Sequence, residues 1–127
     1  MIIIDTSYII AFFSEKDFHH KKAVEFISQL DEDLFAPIEV IQELMTTLSR
    51  KVSSLYAVKV ASSILENNSI NIINSHELVF DKAFDTFKKL NPHKFSFVDC
   101  VLISLAKNSD ATILTFDKDL LKAVSQH

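Results

Sequence analysis

The sequence predicts an α/β fold: a parallel sheet sandwiched between helices. Three observations carry this. Four short stretches, 2–5, 34–36, 70–73 and 112–116, place apolar residues on consecutive positions, the pattern of strands covered on both faces. The segments between them are longer and carry apolar residues at helical spacing. Strand and helical segments then alternate along the chain, as in parallel sheets built from crossover units. At 127 residues with 48% hydrophobic side chains, the chain fits one domain over 1–127 with a core that needs no staples.

Taken in order, Ile2-Ile3-Ile4 opens the first strand, closed by Asp5, and helical patterns follow over 6–13 and 19–30. The second strand, 34–36, leads into a helix over 38–50, with Pro37 at or near its first position, where a missing N–H costs nothing. A further helix over 53–66 precedes the third strand, 70–73. Helices over 76–90 and 97–108 precede the fourth strand, 112–116, and a last helix covers 118–125. Glycine is absent, so helix stops fall to Asn and Asp in Glu66-Asn67-Asn68-Ser69 and Lys107-Asn108-Ser109-Asp110; these residues tolerate the left-handed cap.

Composition excludes several functions. Without glycine there is no phosphate-cradling glycine loop. The single cysteine, Cys100, excludes an internal disulfide framework and a cysteine-based zinc site, and suits a reducing, cytoplasmic compartment. Ile2–Ile4 is too short for a signal-peptide core, and no apolar run approaches the ~18 residues of a membrane span. The formal charge of −4, from 13 basic and 17 acidic side chains, would argue against nucleic acid. One or two divalent cations bound among the acids would bring the remaining surface near balance.

Carboxylates at element ends are the chemical signal. Asp5 follows the first strand, Asp117 ends Thr112-Ile113-Leu114-Thr115-Phe116, Asp99 interrupts Phe97-Val98-Asp99-Cys100-Val101-Leu102, and Glu43 edges the apolar face of its helix. In a parallel sheet the functional crevice lies beyond the carboxyl ends of the strands, where Asp5 and Asp117 fall. Each acid also has a plainer role. Asp5 could cap helix 6–13, Glu43 could be solvated, and Asp117 and Asp119 could start the last helix. Asp99 could be a cap, though Ser96 competes for that position. Glu39, one turn before Glu43, reads as surface. His19-His20 is no metal pair, because adjacent helical positions point about 100° apart. Cys100 reads as a small buried side chain. Phe12, Phe13 and Phe18 could build a partner surface. Lys16, Lys21, Lys22, Arg50, Lys51, Lys88, Lys89, His93 and Lys94 are the positions able to meet phosphates, with Arg50-Lys51 the best pair.

Asp5-Thr6-Ser7, Glu43, Phe97-Val98-Asp99-Cys100 and Thr115-Phe116-Asp117-Lys118-Asp119 resemble, in order and spacing, the PIN-domain nucleases, and in particular the toxin ribonucleases of VapBC-type toxin–antitoxin pairs. The resemblance covers the whole chain. It implies a three-layer α/β/α PIN-like domain with a short parallel sheet of four to five strands, and an endoribonuclease dependent on Mg²⁺ or Mn²⁺. By that likeness Asp5, Glu43, Asp99 and Asp117 are catalytic metal ligands, with Asp119 a further ligand. Thr6 and Thr115 would orient them by hydrogen bonding. It further implies an RNA substrate, a cognate antitoxin that covers the cleft, and a homodimer, for which the apolar helices after the first strand offer a surface. Asn108-Ser109-Asp110 stands where many relatives have a glycine turn, and Arg50 is the one arginine where many are more basic.

An all-oxygen set suits magnesium, a hard ion that keeps several waters. One ion lowers the pKa of an attacking water, and the same ion or a second about 3.5–4 Å away stabilises the leaving oxygen. First-turn amide dipoles should favour ionised Asp99. An aspartate-nucleophile phosphotransferase is disfavoured, because Ser7 stands where a second aspartate would serve as acid and base. The non-enzymatic alternative is a catalytically degenerate PIN-like domain that binds partners or RNA without cutting.

Overall fold

The computed structural model describes residues 1–66, 68–74, 76–90 and 95–125. The helix-stop position Asn67, Pro92, and the candidate basic positions His93 and Lys94 lie outside the described residues, as does His127. The order is β1 (Ile2–Ile4), α1 (Thr6–Phe13), α2 (His20–Ser28), β2 (Leu34–Pro37), α3 (Ile38–Lys51), α4 (Ser54–Glu66), β3 (Asn71–Ile73), α5 (Glu77–Leu90), α6 (Phe97–Ser109), β4 (Thr112–Leu114) and α7 (Lys118–Ser125).

The four strands form one parallel sheet in the order β3-β2-β1-β4. Ile2, Ile3 and Ile4 stand opposite Thr112, Ile113 and Leu114. Successive side chains of a strand point to opposite faces, and Ile3 and Ile4 are both buried, so helices cover the sheet on both sides. The result is the expected three-layer α/β/α arrangement. The core joins these isoleucines to Ile9 of α1, Leu44 of α3, Leu102 and Ile103 of α6, and Leu120 of α7, all at most 1% exposed. Among the described residues no helix is long and apolar enough to cross a membrane.

From β1 the chain moves outward to β2 and β3, then returns across the sheet to set β4 on the other side of β1. The reversal leaves a gap between the carboxyl ends of β1 and β4, the position where open parallel sheets hold their ligands. Asp5 lies at the mouth of that gap.

Element ends differ from the sequence reading in ways that have local causes. The first and fourth strands were expected to reach Asp5 and Phe116, but the last rung runs from the Asp5 N–H to the Leu114 carbonyl at 2.9 Å, and both chains then leave the sheet. Pro37 ends β2 and caps α3 rather than opening it, its φ of −66° and ψ of 150° being extended. Helix α2 is shorter than 19–30. Its start yields to a turn in which the Asp17 carboxylate accepts the His19 N–H at 2.8 Å, and its end tightens as Gln29 and Leu30 bond three residues back. The glycine-free stops are as expected: Asn68 and Asp110 take φ of 50° and 51°.

Leu102 is fully buried and Leu55 is 81% exposed, so the two test the burial pattern. Leu102→Ala should lower the urea unfolding free energy by about 2–5 kcal/mol, whereas Leu55→Ala should change it by less than about 0.5 kcal/mol.

Candidate active site

Asp5 occupies the position that starts α1, and its carbonyl accepts the N–H groups of Tyr8 and Ile9. Its carboxylate makes no capping bond to the helix. It is 5% exposed, and its Oδ2 accepts two hydroxyls instead, Thr115 Oγ1 at 2.7 Å and Ser7 Oγ at 3.0 Å. Each hydroxyl has one proton, and both are directed at Asp5; the 3.3 Å approach of Ser7 Oγ to Thr115 Oγ1 is thus two donors sharing one acceptor. The same oxygens receive backbone groups from the segment after β4. Ser7 Oγ accepts the Phe116 N–H at 3.1 Å and Thr115 Oγ1 the Asp117 N–H at 3.0 Å. This network orients Asp5 and fixes residues 115–117 against α1.

Asp99 lies in the first turn of α6 and closes a reciprocal cap. Ser96 Oγ accepts the Asp99 N–H, and Asp99 Oδ2 accepts the Ser96 N–H, both at 3.1 Å. The cap alternative and the half-buried setting therefore hold together. Burial pushes the Asp99 carboxyl up to about 6, against which the Ser96 N–H and hydroxyl pull it down, and the carboxylates of Asp5 and Glu43 push it further up. The helix-start amide does favour the ionised form as expected, but desolvation and then the two like charges outweigh it. The repulsion from Asp5 and Glu43 puts both carboxylates, one just after β1 and one on α3, within electrostatic reach of Asp99 on α6. Cys100 beside it is fully buried, its thiol pushed up to about 11 by burial and then by Asp99; it is a packing residue.

The remaining acids are placed differently. Asp117 is exposed, and its Oδ1 caps α7 by accepting the N–H groups of Asp119 at 2.9 Å and Leu120 at 3.1 Å. Asp119 is exposed in the first turn of that helix. The reading of Glu39 as a surface residue is corrected: it is half-buried, and its Oε1 is inaccessible and unpartnered. Thr6, expected to support a ligand, has a buried hydroxyl without a partner, and Ser7, one residue on, makes the bond to Asp5. Arg50 and Lys51 are exposed at the end of α3, seven and eight residues beyond Glu43 and about 10–12 Å along the axis.

Among the described residues the one salt bridge is Lys88–Asp85, on α5, so no described basic side chain pairs with a carboxylate of the crevice. Nor do three His, Cys, Asp or Glu side chains there close around a common point as a finished ion cage. The donor set nevertheless suits a hard cation. It is all oxygen and repulsive, and two buried oxygens lack partners, Thr6 Oγ1 next in sequence to Asp5 and Glu39 Oε1 four residues before Glu43 on α3.

A parallel α/β/α domain with uncompensated carboxylates at its topological switch point is the class that fold and site define. The chain belongs to the PIN domain family, whose sequence model matches residues 2–125. It is 28% identical over 120 residues to a protein of Archaeoglobus fulgidus described as a VapC ribonuclease, spanning 91% of this chain and 76% of that one. In structure it is similar to Mycobacterium tuberculosis VapC20, described as a sarcin-ricin loop cleaving toxin, with a TM-score of 0.86 at 20% identity over 97% of this chain and 95% of the other. FitAcB of Neisseria gonorrhoeae superposes with a TM-score of 0.71 at 16% identity over 98% and 94% of the two chains. For VapBC-1 of nontypeable Haemophilus influenzae the TM-score is 0.70 at 17% identity over 99% and 94%.

The raised Asp99 pKa fixes the sign of a pH effect. A carboxyl that titrates near 6 when folded and near 3.8 when unfolded binds its proton preferentially in the folded state. Its contribution is fully present below about pH 3.8 and is lost as pH rises through 6. In EDTA, Asp99→Asn should therefore flatten the fall in melting temperature between pH 4 and about 6.5 and melt above wild type at pH 7, as scanning calorimetry at both pH values would read. A variant that melts below wild type at pH 7 would contradict the raised Asp99 carboxyl and the burial and like charges that cause it.

Proposed function

We propose that the chain is one PIN nuclease domain, a metal-dependent endoribonuclease acting as the toxin of a toxin–antitoxin pair. The observation that carries this reading is the mutual repulsion of the Asp5, Glu43 and Asp99 carboxylates near the switch point of the sheet, with no basic partner among the described residues. Membership of the PIN family and likeness to a protein described as a VapC ribonuclease support the same activity.

In this reading Asp5, Glu43, Asp99 and Asp117 hold Mg²⁺ or Mn²⁺, with Asp119 at the margin. The bound ion supplies an acidified water and charge neutralisation at the phosphodiester. Ser7 and Thr115 fix the Asp5 carboxylate through their two hydroxyl bonds, which limits it to one orientation. Asp99 is held by its reciprocal cap with Ser96, and a bound cation would oppose the burial and the like charges that hold its carboxyl up. Arg50 and Lys51 take RNA phosphates farther along α3, fixing the strand without reading its sequence. A cognate antitoxin, a second copy of the chain and a cytoplasmic setting complete the assignment; likeness to VapBC-1 supports the first of these.

A non-cutting RNA- or partner-binding domain is the second reading, and the use of Asp117 Oδ1 as a helix cap favours it. Cleavage separates the two. A panel of structured RNAs should be cut in Mg²⁺ or Mn²⁺ and left whole in EDTA. Asp5→Asn and Asp99→Asn should abolish cutting, and Thr115→Val should raise the metal concentration for half-maximal rate by about 10–100-fold. Intact RNA throughout would support the non-cutting domain, and cutting that survives EDTA would rule out the metal-dependent mechanism.

A further inference from the structure

Phe18 is 93% exposed, the most exposed of the large apolar side chains among the described residues. It is not on a loose loop. The Asp17 N–H bonds the Ser14 carbonyl, the Asp17 carboxylate holds the His19 N–H at 2.8 Å, the His20 N–H bonds the Asp17 carbonyl, and His20 Nδ1 lies 2.8 Å from the Ala11 carbonyl. The chain is pinned on both sides of Phe18 while the ring stands in water. An aromatic ring that would remove roughly 150–250 Å² from water if buried is thus held out by a tied backbone.

Behind Phe18 runs a column of rings that reaches the acidic crevice. Phe18 meets His19 edge to face at 5.0 Å, His19 stacks on Phe116 at 4.1 Å and 5°, and Phe116 stacks on Tyr8 at 4.4 Å and 2°. Phe116 precedes Asp117, and its N–H bonds the Ser7 hydroxyl that donates to Asp5. Within four residues of Phe18 in sequence are Lys16, Lys21 and Lys22, all exposed; of the two acids in the same stretch, Asp17 is tied into the turn and Glu15 faces solvent. An exposed aromatic ring near lysines is the usual composition of a single-strand binding surface: the ring stacks a base of any sequence and the cations follow the backbone.

We propose that Phe18, braced by the His19–Phe116–Tyr8 stack, is a platform for an unpaired RNA base beside the acidic site, with Lys16, Lys21 and Lys22 on the flanking phosphates. The inference rests on the nuclease reading for its substrate class and narrows it to RNA that offers unpaired bases. A duplex keeps its bases stacked on one another and presents no face to the ring.

The chain has no tryptophan and two tyrosines, so Phe18→Trp introduces a single indole at the platform that can be excited selectively above the tyrosine absorption. In EDTA, a 12-nucleotide single-stranded RNA should quench and shift its emission, and the same sequence in a blunt duplex should not. By anisotropy with the labelled single strand, Phe18→Ala and Phe18→Leu should both weaken binding by roughly five- to hundredfold, with Trp retaining it. Lys21→Gln with Lys22→Gln should lower the salt slope of log K by about 1.4. With cleavable RNA, Phe18→Ala should raise KM and leave kcat within a few fold. Leucine binding as well as phenylalanine, emission indifferent to single strands, or an unchanged salt slope would overturn the platform, whatever the cleavage assay shows. Quenching by single strands in a protein that cuts no RNA would support the platform and remove the nuclease reading, so the two fail separately.

Discussion

Parallel pairing of β1 with β4 is the constraint on which the site depends. The strands are three residues each and lie about 110 positions apart in sequence, so their rungs close a loop over almost the whole chain. Once formed, they carry the Asp5 N–H to the Leu114 carbonyl and release both chains at the same edge. The segment Thr115-Phe116-Asp117 then meets Asp5-Thr6-Ser7 through two hydrogen bonds, from the Thr115 hydroxyl to Asp5 and from the Phe116 N–H to the Ser7 hydroxyl. Two local bonds, Ser7 to Asp5 and the Asp117 N–H to Thr115, orient the groups that make them. Loss of the β1–β4 register by one residue would turn every side chain to the opposite face and separate the hydroxyls from Asp5.

The fold gathers like charges where solvation is poor, which costs stability. Asp99 carries the evidence of that cost: its capping bonds with Ser96 favour the ionised form, yet burial and the neighbouring carboxylates prevail. Carboxylates kept for stability alone are ordinarily paired with Lys or Arg, and here the one salt bridge among the described residues is on the exposed side of α5. Strain of this kind is concentrated at functional sites. The same unpaired oxygens that raise the energy of the metal-free chain are those that a divalent cation would lower. Around them, the two kinds of bond have separate tasks, hydroxyls to aim Asp5 and backbone caps to hold Asp99 and Asp117.

Much of this was legible in the sequence because it rests on short-range rules. Consecutive buried isoleucines mark a strand covered on both faces, and Asn68 and Asp110 mark helix stops that no glycine supplies. What the sequence obscured is long-range. Thr6 and Ser7 are equally near Asp5 along the chain, and only the arrival of β4 selects Ser7 as the donor. Glu39 reads as a solvated first-turn residue because nothing local shows that packing removes its Oε1 from water. The dipole at the start of α6 is predictable from Ser96 and Asp99, whereas the opposing charges come from β1 and α3. The column Tyr8–Phe116–His19 joins three segments whose rings read separately as core or surface.

The most direct test of the gathered carboxylates is the side-chain carboxyl ¹³C titration of Asp99, followed by NMR in EDTA and again in saturating Mg²⁺. The expected midpoint without metal is about 6, falling below the ordinary carboxylate range when Mg²⁺ is added. A midpoint near 3.8 that Mg²⁺ does not move would mean that Asp5, Glu43 and Asp99 share neither a field nor an ion.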